Sequence, residues 1–170
     1  NKEPDLRGYN IYRNKQKVNI ELIRLNNYLD QNLKEGIYTY TVQAVDFAGN
    51  ESKPSNEEKM KVDFTAPDAR IRSPQDGSRV SGLADIKGTA YSSDDFKQYR
   101  VSIAQGSAPS TWNLIRTSPV SISYGTLVKW DTVGLVEGIY SIKLEAEDLS
   151  GNINTHQIVV TVDNNPPAKP

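Results

Sequence analysis

The chain has 170 residues, 36% hydrophobic and 24% charged, a balance that suits soluble globular domains and contains no apolar run of membrane-spanning length. Its 20 basic and 21 acidic side chains are spread evenly over residues 1–66 and 67–170, so no strong field invites nucleic acid or an anionic membrane. Cysteine is absent, which excludes disulfides, thiol catalysis and cysteine-ligated zinc and leaves each core to packing alone.

In chain order, GYNIYRN (Gly8–Asn14) and KVNIELI (Lys17–Ile23) are predicted strands flanking the polar turn Lys15-Gln16. The overlapping run NIELIRLNNYLDQNL has adjacent apolar residues, many Asn and no cap signals, and reads as strand and loop rather than helix. Glu35–Asn50 then reads EGIYTYTVQAVDFAGN. Tyr38, Tyr40, Val42 and Ala44 share one face and Thr39, Thr41 and Gln43 the other, the alternation of a half-buried antiparallel strand. The phrase ends in Asp46-x-x-Gly49-Asn50, a turn in which Gly49 is expected at positive φ and Asp46 is expected to accept backbone N–H groups. The strand EEKMKVDF and a proline-bearing exit at Pro67 follow.

ARIRSP, ADIKGTA, FKQYRVSIAQG, TWNLIRT and GTLVKWD are the next predicted strands, with Trp130 reading as core. Glu137–Asn152, EGIYSIKLEAEDLSGN, then repeats the earlier phrase, matching it at eight of sixteen positions. Tyr140, Ile142, Leu144 and Ala146 alternate with Ser141, Lys143 and Glu145, and the turn carries Asp148, Gly151 and Asn152. HQIVVTVD and a second proline exit, DNNPPAKP, close the chain. A repeat of roughly a hundred residues is too long for a solenoid and suits β-sandwiches. The predicted fold is all-β: tandem sandwiches over residues 1–66 and 67–163, with 164–170 a proline-rich linker to a further domain. Roughly five strands are expected in the first and about seven in the second.

DLRGYNIYRN and YLDQNLKEGIYTYTVQAVDFAGNES resemble the later strands of a fibronectin type III domain. Leu33 and Tyr38 stand where that family keeps its leucine and its corner tyrosine, and Glu35 replaces the usual proline. The family has two strands before the one matched by GYNIYRN, so the resemblance implies a first sandwich incomplete at its N-terminus and a natural chain continuing upstream of Asn1. SPQDGSRVSG, ADIKGTA and KWDTVGLVEGIYSIKLEAEDLSGN resemble a bacterial immunoglobulin-like domain of secreted or cell-surface proteins. Both resemblances speak for fold and leave function open.

Residues able to carry chemistry are few. His156, the single histidine, starts the apolar-alternating run HQIVVTV and is expected at the surface without a catalytic partner. Asp46 and Asp148 recur in equivalent turns and are expected to serve those turns, as Tyr38 and Tyr140 are expected to be buried with hydroxyls bonded to nearby backbone. Asp163, Asn164 and Asn165, with Asp148, are weak candidates for calcium, which takes six or more oxygen ligands. Trp112, with Tyr99 or Tyr124, is the candidate sugar-stacking platform, and Asp94-Asp95 and Glu57-Glu58 read as solvated loop charges.

The expected function is therefore a non-catalytic spacer, adhesive or assembly module of a larger bacterial extracellular or cell-surface protein, needing no cofactor. Its expected partners are other domains of the same polypeptide, or neighbouring surface proteins or polysaccharide, with no nucleic acid and no membrane insertion. The alternatives are an accessory carbohydrate-binding module of a secreted glycoside hydrolase, with Trp112 as platform, or accessory domains of a secreted protease.

Overall fold

Alternation becomes strand along most of the chain in the computed structural model, which describes residues 5–165 and divides into two units, Asn1–Phe64 and Thr65–Pro170. Most of the second proline exit, from Pro166 onward, lies outside the described residues.

The first unit contains β1 (Leu6–Arg13), β2 (Gln16–Lys17), β3 (Gly36–Asp46) and β4 (Glu58–Val62), joined as one antiparallel sheet in the order β2-β1-β3-β4. The predicted strand over Lys17–Ile23 is not continuous. Asn19 is buried there, and its side chain takes over the ladder: Oδ1 accepts the Ile11 N–H at 2.7 Å, while Nδ2 donates to the Glu21 carbonyl at 2.7 Å. Pairing resumes at Ile23, whose N–H and carbonyl bond Tyr9 at 2.9 and 2.8 Å. On the far side of β3 the segment before β4 contains Pro54, and two hydroxyls stand in for regular pairing. Ser52 Oγ accepts the Ala44 N–H and Ser55 Oγ the Val42 N–H, each at 3.0 Å.

One face of this sheet is polar, with Asn10 donating to Glu51 at 2.5 Å and the Tyr12 hydroxyl to the same carboxylate at 2.8 Å. Tyr9, Ile11, Tyr40 and Val42 lie on the other. No second sheet covers that face among the described residues, and Val45 is the only buried large hydrophobic side chain of the unit.

The second unit is a two-sheet sandwich. Its strands are β5 (Asp68–Ser73), β6 (Arg79–Val80), β7 (Leu83–Tyr91), β8 (Phe96–Gln105), β9 (Asn113–Ser118), β10 (Ile122–Asp131), β11 (Gly138–Asp148) and β12 (Ile153–Val162). The sheets run β10-β7-β5 and β6-β12-β11-β8-β9. After β5 the chain crosses from one sheet to the other, and β6 pairs with β12 in parallel, a short strand the sequence did not announce. Inward side chains of both sheets form one core that includes Ile71, Ile86, Tyr99, Val101, Leu127, Trp130, Ile142, Leu144 and Val160. Tyr99 ties the sheets together, its buried hydroxyl donating to the Leu127 carbonyl at 2.8 Å.

Candidate functional site

β3 and β11, the two copies of the repeated phrase, end in equivalent turns. Asp46 accepts the Asn50 backbone N–H on Oδ1 and the Asn50 side-chain amide on Oδ2, both at 2.8 Å. Those bonds, the side-chain one foremost, hold the Asp46 carboxyl below its ordinary range. Asp148 makes the same two bonds to Asn152, at 2.8 and 2.9 Å, and is fully buried. Gly49 and Gly151 have φ of 91° and 89°, a region that L side chains resist.

Asp148 cannot join Asp163 in a cation site. It ends β11, whereas Asp163 follows the end of β12, whose last residue pairs with Gly138 at the start of β11. A strand of this length separates the two by on the order of 30 Å. Around the second exit each side chain has its own partner. Asp163 accepts Arg79 at 2.7 Å. Asn164 bonds the Gly82 N–H at 3.0 Å and the Thr132 carbonyl at 2.8 Å, and Asn165 donates to Glu137 at 2.5 Å. Glu147 is bonded to Lys97 at 2.6 Å and Gln98 at 2.8 Å, and the Lys97 bond leads in holding its carboxyl below the ordinary range.

The aromatic platform does not assemble. Tyr99 is buried between the sheets and Tyr124 stands exposed on β10 of the other sheet, so neither joins Trp112. Trp112 is half-buried beside an open groove of about 580 Å³ bordered by Gln105, Pro109, Ser110 and Thr111. The Lys143 ammonium sits 4.7 Å from its ring centroid, so one face of the indole already carries a cation. Lys143 alternates with the buried Ile142 and Leu144, which puts it on the outer face of the five-stranded sheet. Ser141, on the same row, donates to the Gly106 carbonyl at 2.8 Å and draws the loop leading to Trp112 across that face.

Other expectations hold in part or need correction. Tyr38 is half-buried, and its hydroxyl donates to the Lys34 carbonyl at 2.9 Å. Tyr140 is buried against Trp130, with centroids 5.7 Å apart, but its hydroxyl takes no hydrogen bond among the described residues. Asp95 is buried rather than solvated and accepts the Ser92 hydroxyl. His156 is half-buried, and its Nδ1 accepts the Ile71 N–H at 3.2 Å.

One polar cluster escaped sequence reasoning altogether. Asp30 receives Arg13 Nη1 on both oxygens at 2.8 Å and the Tyr40 hydroxyl at 2.7 Å, while Arg13 also stands 5.7 Å from the Tyr38 ring centroid. Burial, with the Asp30 bond second, pushes the Tyr40 phenol up to about 12. Tyr40 and Arg13 pair across β1 and β3, but Asp30 reaches them from a loop, and no periodicity marks such a meeting.

Residues 25–119 match the model of the bacterial Ig-like domain, group 3, more than half of the chain. The chain belongs to the bacterial Ig-like family. The match begins in the loop before β3 and ends just after β9. Among solved structures, the chain is similar to the fibronectin(III)-like modules of Clostridium thermocellum CbhA. The TM-score is 0.61 at 15% identity, covering 96% of this chain and 82% of that one. It is also similar, at a TM-score of 0.46 and 17% identity, to the endo-beta-1,4-mannanase of Thermotoga petrophila, covering 61% of this chain and 21% of that one. No curated protein sequence matches the chain. An Ig-like chain with a fibronectin(III)-like structural neighbour is thus established as to fold, and no helix of the described residues is long and apolar enough to cross a membrane.

Proposed function

We propose that this chain is a non-catalytic spacer or assembly segment of a larger bacterial extracellular or cell-surface protein, working with other domains of the same polypeptide. One observation carries the reading: the repeated turn carboxylates, the single histidine and the first exit asparagine are engaged in holding backbone. Asp46 and Asp148 close their own turns, His156 receives a strand N–H, and Asn164 bridges Gly82 to Thr132. Groups committed this way keep a module's shape, and a proline-bearing exit limits φ where the chain leaves it, which restricts bending between modules.

The test pairs force with binding. Pulled by its ends in a force spectrometer, the full chain is expected to give a discrete, reproducible unfolding event for the second unit, as a spacer under tension requires. In native gels cast with cellulose derivatives, mannan or xylan it is expected to migrate without retardation. Retardation by one glycan, abolished by Trp112→Ala, would replace this reading with a carbohydrate-binding module.

A further inference from the structure

The chain enters the second unit through β5, and that strand is held on its two sides by different means. On one side β7 pairs with it, Ala69 opposite Ala90 and Ile71 opposite Gly88. On the other, side chains of β12 reach it across the seam between the sheets. Asn154 donates to the Pro67 carbonyl at 2.9 Å, and two residues further along the same row His156 Nδ1 accepts the Ile71 N–H at 3.2 Å. Ile71 is a core residue, only 4% exposed, and a backbone N–H in such a place needs a partner.

We propose that His156 is a pH-operated latch on β5. A neutral ring pins the entry strand to β12, and a doubly protonated ring releases it. Acceptance by Nδ1 requires the tautomer with hydrogen on Nε2, and once Nδ1 also carries a proton it can only donate. Two donors then face each other, and the Ile71 N–H loses its partner. Imidazole is the side-chain type that exchanges a proton in mildly acid solution, so solution pH is the natural input to such a latch.

The groups facing the ring from the adjoining strands are few. On β11 the residue paired with His156 is Leu144. The charged neighbours on adjoining strands, Arg70 and Arg72 of β5 and Glu145 of β11, alternate with the buried Ile71 and Leu144 and therefore lie on outer faces. Asp68 opens β5 and is exposed, and β7 offers Gly88 opposite Ile71. No carboxylate forms an ion pair with His156 among the described residues. Release would loosen the β12 side of β5 while β7 still pairs with it and Ile142, Leu144 and Val160 keep the core closed, a change in compliance rather than in fold.

The experiment follows the Ile71 amide in the 15N-labelled full chain between about pH 7.5 and about pH 5, with the imidazole resonances read in the same samples. The Ile71 amide shift is expected to titrate with the ring. Its exchange protection, corrected for the intrinsic pH dependence of exchange, is expected to fall on the order of tenfold on the acid side. Val101 and Leu144 amides should keep theirs. His156→Asn supplies a side-chain oxygen that accepts at any pH, and its Ile71 protection is expected to stay level across the range. A wild-type Ile71 amide that stays protected and unshifted while the ring titrates would overturn the latch, and so would equal acid losses in wild type and His156→Asn. If that variant does not fold, the wild-type titration alone decides.

Discussion

Asp148 and Asn152 are joined twice, the backbone N–H of Asn152 on one carboxylate oxygen at 2.8 Å and its side-chain amide on the other at 2.9 Å. The Asp148 side chain is fully buried, so its removal takes away two charge-assisted bonds and leaves a hole where the carboxylate was. Asp148→Ala is expected to cost the second unit about 2–3 kcal/mol by chemical denaturation. Asp46→Ala, at the exposed copy of the turn, is expected to cost clearly less. Equal losses at the two positions would show that burial is not what sets the strength of the clamp.

Two glycines of the second unit should fail for different reasons. Gly151 has φ of 89° and open space around it, so Gly151→Ala meets only backbone strain and is expected to cost about 1 kcal/mol. At Gly88 a Cβ would fall 2.0 Å from the Arg70 carbonyl oxygen, inside the β5–β7 pairing. Gly88→Ala is expected to cost well over 2 kcal/mol, because backbone rather than a pliable side chain must move. Thermal melts of the two variants side by side check the order.

Tyrosine hydroxyls differ in the same way. Tyr99→Phe removes a buried bond that spans the sheets and leaves the Leu127 carbonyl without its donor, an expected loss of about 1–3 kcal/mol. Tyr38→Phe removes a bond that water can replace, and the expected loss is below about 1 kcal/mol. A larger effect at Tyr38 would mean that the turn before β3 depends on that hydroxyl more than its exposure suggests.

Alkali should reach the first unit through Tyr40. Its phenol is raised to about 12 by burial and by Asp30, so the folded state keeps the proton that the unfolded chain gives up near its ordinary value of about 10. The resulting stability is fully present below about pH 10 and is lost as pH rises through about 12. Tyrosinate absorbance during alkaline titration is expected to show a late-ionising component that Tyr40→Phe diminishes. Asp46, held low, works in the opposite direction: its contribution is present above the ordinary carboxylate range and is lost as acid titrates the folded state.

The two units should also differ in cooperativity. Every member of the buried hydrophobic cluster belongs to the second unit, while the apolar face of β1 and β3 is only partly covered. Residues 65–170 expressed alone are expected to unfold in one cooperative transition, and residues 1–64 to be marginal. Matching melting temperatures for the two pieces would contradict this.

By itself the sequence determined the strands that alternate strongly and the turns between them. Gly36–Asp46 and Gly138–Asp148 are strands of equal length, and each ends in an Asp-to-Asn clamp. Those features depend on neighbours a few residues away, and period two and turn chemistry record them directly. The tertiary structure alone decided what the two copies experience. β11 lies inside a five-stranded sheet with a second sheet above it, so Ile142 and Leu144 are 0% exposed; Val42 of β3, in a single sheet, remains 36% exposed. The same holds for partners. Asn19 breaking a predicted strand and Asp30 meeting Arg13 and Tyr40 depend on how loops fold back on β1 and β3, and Lys143 over Trp112 and His156 on Ile71 are encounters between segments distant in the chain. A side chain's hydrogen-bond partner and its access to water are set by which strands pair and which faces stack, and a local pattern of alternation holds no record of either.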